Sequence, residues 1–219
     1  MSAGSTESSR LAAVLVALGV LTALWGVAYD VAGITQAPAG LTVPVAVAPA
    51  NAAGAPDTAS VQVPDVTVQD GWLAPAQASG VRLGSVDGYL SLHAWRSTRT
   101  EQALARGDWM LGGAGLLAMA LLLRPVLRST AAGRPFIPGN AGRLLGAGAV
   151  IAVIGTAAPL LPELAGALVL NRTGLDESGM LVPALAWRPV PLLVGTVVAA
   201  LAAAFRHGEQ LVEDAEGTV

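Results

Sequence analysis

The chain has no cysteine, no lysine, only two histidines, and few charges for its 219 residues. Without cysteine there is no disulfide, no thiol nucleophile and no thiolate metal ligand. His93 and His207 are the only imidazoles, and a protein metal site ordinarily takes three or four ligands. Ser91 and Asp87 lie near His93 in sequence, but no nucleophile elbow accompanies them. No glycine-rich loop has the Walker or dinucleotide spacing. The residues give no reason to expect an enzyme, a cofactor or a metal. All twelve basic residues are arginine, and the net charge of −3 is too small to argue for nucleic-acid binding. Charged residues make up 12% of the chain, against about 25% in soluble domains.

That deficit falls in blocks. A helix crossing the hydrocarbon core needs about 20 mostly apolar residues, and four segments meet the requirement. They predict membrane helices over residues 11–29, 108–127, 143–164 and 189–206. Helices rather than strands are expected because these runs lack period-two alternation. The first run could instead be a signal peptide. It is weakly basic at its start, however, and longer than the usual apolar region of about 7–15 residues.

Arginine placement in short loops sets orientation. Residues 128–142 with their flanks hold Arg124, Arg128, Arg134 and Arg143 and no acid. This loop is expected to be cytoplasmic, together with residues 1–10 and an acidic tail over 207–219. Residues 30–107 and 165–188 then fall outside. Trp25, Tyr29, Trp109 and Trp187 all land at the outer interface, where amphipathic rings prefer to sit. Small residues recur along the spans, including Gly19, Ala23 and Gly26 in the first and Gly112, Gly113 and Gly115 in the second. They allow close helix–helix approach.

The outer segments are β-patterned. Leu41 to Val47 alternates apolar and other residues, as do Val61 to Val63 and Val66 to Val68. Val81 to Leu83 and Tyr89 to Leu92 read as a hairpin. Met180 to Val182 or Leu185 to Trp187 offers a further strand. Thr98-Arg-Thr-Glu101 has capping-box spacing and predicts a helix start leading into the second span. Glu163 follows Pro159 and Pro162 and reads as a wetted acid at a kinked helix end. The expected fold is thus an integral membrane α-helical protein. It has four transmembrane helices and a small β-rich extracytoplasmic domain inserted between helices 1 and 2.

The cytoplasmic face carries the most informative residues. Arg134, Pro135 and Phe136 sit in a turn from which Phe136 and Ile137 reach the interface while arginines meet lipid phosphates. Asn140 is the expected N-cap of helix 3, with Arg143 one turn on. After helix 4 come Phe205, Arg206, Gly208 and Leu211 among acids. They read either as a solvated tail or as a docking segment for a cytoplasmic partner.

These two stretches resemble the bacterial membrane family called domain of unknown function 2975. The shared loop pattern is Gly133, Pro135, Phe136, Pro138, Asn140, Arg143 and Leu144. The shared end is Phe205, Arg206, Gly208, Leu211, Glu213, Asp214 and Val219. The likeness covers the C-terminal half, whereas the β domain agrees in layout only. The long Ala/Pro-rich stretch and the absence of loop lysine depart from the family pattern. The resemblance implies a four-helix inner-membrane protein with no established activity, whose relatives are encoded beside a small helix-turn-helix regulator. A sensor or anchor with a cytoplasmic partner is therefore expected. A structural or accessory subunit of an envelope or transporter complex is the alternative, and a small permease is disfavoured by nearly charge-free spans.

Overall fold

The computed structural model describes residues 3–47, 60–61, 81–82, 89–177, 179 and 181–216. Its long elements are α1 (Ala3–Gln36), α2 (Arg99–Ala131), α3 (Asn140–Thr173) and α4 (Val190–Glu216). All four helices are long and apolar enough to cross a membrane. The strands are β1 (Leu41–Val47), β2 (Ser60–Val61), β3 (Val81–Arg82), β4 (Tyr89–Ala94) and β5 (Leu181–Pro183). The chain divides into two compact units. The first is Met1–Ala32, Arg106–Leu160 and Trp187–Val219; the second is Gly33–Ala105 and Leu161–Ala186.

In the helical unit, large apolar side chains face outward. Leu11, Leu18, Leu21, Leu24, Leu193, Val197 and Leu201 are all exposed. A water-soluble monomer rarely carries apolar patches of this size. Lipid is the solvent such a surface suits, because a spanning helix satisfies its own backbone. Neighbouring helices meet through glycine. A Cβ on Gly26 would collide with the Trp109 carbonyl oxygen, and one on Gly113 would lie 2.5 Å from that of Thr22. Gly148 and Gly195 make a similar reciprocal approach between α3 and α4.

The helices overrun the expected spans. α1 passes through Asp30 to Gln36, because one charge does not break a helix and the next stop is Pro38. α3 passes through Pro159 and Pro162 to Thr173. Each proline removes only its own N–H, which long helices tolerate when neighbouring groups compensate. α3 ends at Gly174 (φ 68°), where Gly174 N–H donates to Asn171 O and Leu175 N–H to Leu170 O. This pair of bonds is the Schellman pattern. α4 continues to Glu216, so most of the expected acidic tail is helical.

In the second unit, β1 is the middle strand of an antiparallel sheet ordered β4-β1-β5. Leu41, Val43 and Val45 point inward as the alternation predicts, and pack with Leu92, Ala94, Leu181 and α3 residues Ala165, Val169 and Leu170. Full burial of a Val or Leu side chain contributes about 1.5–3 kcal/mol. Pro44 sits in β1 opposite Ser91, but β5 reaches only to Val45, so the strand is one-sided there.

Among the described residues no pairing joins β3 to β4 as the expected hairpin would, and residues 83–88, its turn, lie outside them. β4 pairs with β1, and β3 pairs with β2. Alternation marks a strand but leaves its partner open, and here the long-range partner wins. Of the two candidate extra strands, residues 181–183 pair with β1, whereas Leu185–Trp187 is irregular. Expected strand residues 62–63 and 66–68, with Leu83 and Met180, lie outside the described residues.

The reciprocal bonds implied by the capping-box spacing are present. Thr98 N–H donates to Glu101 Oε2 at 2.8 Å, and Glu101 N–H donates to Thr98 Oγ1 at 3.2 Å. Glu101 also accepts from Arg172 Nε at 2.7 Å, joining the start of α2 to the end of α3. Ser97 Oγ donates to Ala39 O and accepts from Gln102 Nε2, both at 2.7 Å. Glu163 is buried rather than wetted, and its Oε2 accepts from Ala186 N–H at 3.1 Å.

Candidate functional site at the α2–α3 loop

α2 stops by the same device as α3. Gly133 takes a left-handed φ of 74°, Gly133 N–H donates to Thr130 O, and Arg134 N–H donates to Ser129 O. These bonds satisfy two carbonyls that the helix end would leave free. The turn also brings the chain back beside the last turns of α2. Pro135 and Pro138 then limit the loop's freedom.

Asn140 locks the loop, though not as the expected N-cap. Its side chain is completely buried. Nδ2 donates to Ser129 Oγ at 2.6 Å and to Pro135 O at 2.8 Å, while Oδ1 accepts from Arg143 Nη1 at 3.0 Å. Ser129 Oγ in turn donates to Val126 O. The N-cap position belongs to Gly139, whose carbonyl accepts from Arg143 N–H. Glycine has no side chain to hold the free N–H groups of the first turn, and α3 has no acid there. Glu209 of α4 supplies the acceptor: its Oε1 takes Ala141 N–H at 2.9 Å. A carboxylate at a helix N-terminus also interacts favourably with the helix dipole.

A second contact joins the same segments. The Phe136 and Phe205 rings lie 5.3 Å apart at 56°. Gly208, one turn beyond Phe205, lies against the Phe136 ring; a Cβ there would be 2.6 Å from Phe136 Cδ1. Phe136 therefore packs against α4 as well as reaching the surface. Pro135 and Phe136 of the loop, with Asn140, Ala141 and Arg143 at the start of α3, thus form a clasp with Phe205, Gly208 and Glu209. Gly208→Leu is expected to push the ring out and loosen the loop by about 1–3 kcal/mol. Chymotryptic cleavage after Phe136 should then quicken about tenfold under native conditions, because cleavage follows local opening. An unchanged rate would show that the ring contact does not hold the loop.

Other sequence-predicted residues stay outside the clasp. Arg134, Arg206 and Leu211 are exposed, Leu211 at 61%. Arg134 joins Arg124 and Arg128 in lining a cleft along the end of α2. Sequence reasoning missed Glu209, whose role depends on a contact across 68 residues. It read the arginines here as markers of orientation that meet lipid phosphates, not as one cluster; the four-residue spacing of Arg124 and Arg128 was the available sign of a shared helix face.

The aromatic residues expected at the outer interface lie apart from the clasp. Trp25, Tyr29, Trp109 and Trp187 are all exposed. Tyr29 and Trp109 meet edge to face at 6.2 Å, and the Arg106 guanidinium lies 4.9 Å above the Tyr29 ring. Asp30 beside Tyr29 is buried, and its Oδ1 has no hydrogen-bond partner among the described residues. In the second unit His93 is held by Thr42 Oγ1 at 3.0 Å and by an edge contact with Trp95. Among the described residues, no three His, Asp or Glu side chains are grouped to hold a metal. Comparison with protein-family models, curated proteins and solved structures found no match for the chain.

Proposed function

We propose that the chain is a non-enzymatic bacterial inner-membrane sensor or anchor. The β-sheet unit faces outward, and the α2–α3 loop and the end of α4 face the cytoplasm. The arginines of the loop support this orientation. One observation carries the partner reading. The end of α4 is helical beyond the clasp and presents Leu211 and Val212, both exposed, beside Glu213 and Asp214. An amphipathic helical end of this kind suits the groove of a cytoplasmic protein. The resemblance to domain of unknown function 2975 makes a helix-turn-helix regulator the first partner to seek.

Asn140 is inaccessible to any partner, and Phe136 and Gly208 serve the clasp. The partner surface is therefore Leu211 and Val212. Affinity purification from native membranes is expected to recover a cytoplasmic protein. Leu211→Asp with Val212→Asp should reduce that recovery at least tenfold while the membrane fraction keeps its level. Equal recovery by parent and variant would remove the partner reading. Recovery of membrane proteins alone would favour the accessory-subunit alternative.

A further inference from the structure

We propose that the cleft at the end of α2 binds a phosphate-bearing anion. The cleft has a volume of about 570 Å³ and is lined by Arg124, Arg128 and Arg134 together with Leu121, Pro125 and Ile137 among others. Arg124 and Arg128 stand four residues apart, so they share one face of α2. The turn at Gly133 returns Arg134 to the same cleft. No carboxylate lines it, and none of the three arginines makes an ion pair among the described residues. Arg124 Nε is buried and without a hydrogen-bond partner among the described residues. Buried donors of this kind are ordinarily paired, so the atom is placed to meet an acceptor that the chain does not provide.

The chemistry of the lining selects the ligand. Three guanidiniums around one cleft repel each other unless an anion sits between them. Guanidinium forks match the oxygens of phosphate, to which they bond in pairs. The apolar wall of Leu121, Pro125 and Ile137 gives a companion surface for glycerol or acyl carbons. Two sources share this chemistry, the headgroup of an acidic phospholipid and a free phosphate. The inference does not depend on the partner reading, because no residue of the Leu211–Val212 surface lines the cleft.

The test uses the full chain purified in neutral detergent. Thermal stability is followed while short-chain phosphatidic acid is titrated, and separately while inorganic phosphate is titrated at constant ionic strength. The Tm is expected to rise in at least one titration. A rise with phosphatidic acid alone assigns the lipid headgroup, and a rise with inorganic phosphate alone assigns the free anion. Arg124 is half-buried in α2, so the variants fall on its exposed neighbours. Arg128→Gln and Arg134→Gln should each weaken the apparent affinity at least fivefold. Arg206→Gln, an exposed arginine that does not line the cleft, should leave it unchanged. The proposal is overturned if no Tm rise occurs with either compound. It is equally overturned if Arg206→Gln weakens binding as much as the cleft variants do, or if a carboxylate-headed fatty acid stabilises the chain as well as phosphatidic acid.

Discussion

Gly113→Leu is expected to force α1 and α2 apart, while Gly112→Leu, one residue away, leaves the protein intact. The two positions differ only in what surrounds them. A Cβ on Gly113 would come 2.5 Å from Thr22 O and 2.8 Å from Ala23 Cα. These are backbone atoms of a packed helix, and no rotamer change moves them. A Cβ on Gly112 meets nothing within 4 Å. Overpacking usually costs about 1–3 kcal/mol, and the upper end applies here because leucine adds three carbons beyond the offending Cβ. Leucine at the open position removes a poor helix former and should gain up to about 1 kcal/mol. Reversible unfolding in mixed detergent reads both effects. Equal stability of the two variants would mean that the α1–α2 seam is not held at this spacing.

Glu101→Ala is expected to destabilise the β-sheet unit by about 2–4 kcal/mol. The carboxylate is 2% exposed and makes two bonds of different kinds, to Thr98 N–H and to Arg172 Nε. Alanine leaves both donors without it. The loss falls short of that for a completely buried pair, because Arg172 is 32% exposed and water replaces part of its partner. Glu101→Gln separates the two roles. Glutamine still serves the capping box but loses the charge, so it should lose roughly half as much. Amide hydrogen exchange at Val43, Val45, Val169 and Leu170 checks this, since these residues form the core beneath the sheet. If alanine and glutamine protect these amides equally, the ion pair and not the cap carries the effect.

The elements legible in the sequence are those encoded by neighbours in the chain. Thr98 and Glu101 are three residues apart, and their bonds follow from that spacing alone. Leu41, Val43 and Val45 announce a buried face because strand side chains alternate. The four long helices follow from apolar runs. Contacts between distant segments were not legible. β4 pairs with β1 across about fifty residues, and β3 pairs with β2; periodicity carries no information about which strand is next. Asn140 looked like a cap because of its residue type and position. Only the fold shows that Gly139 occupies the cap and that Glu209 bonds the first turn. At the candidate site, the motif residues could be named from the sequence, but not that Phe136, Phe205 and Gly208 touch one another.

The bond from Glu209 to Ala141 makes the end of α4 and the start of α3 one thermodynamic unit. Drawing the end of α4 away would leave the first turn of α3 uncapped, at about 1 kcal/mol, besides parting the two phenylalanine rings. By linkage, a ligand that requires this opening binds more weakly by the same free energy. At 1.4 kcal/mol per decade, the cap alone would weaken such a ligand about fivefold. A ligand that takes Leu211 and Val212 with the clasp closed carries no such penalty. The clasp therefore acts as a filter on mode of binding, favouring ligands that accept the end of α4 as it stands.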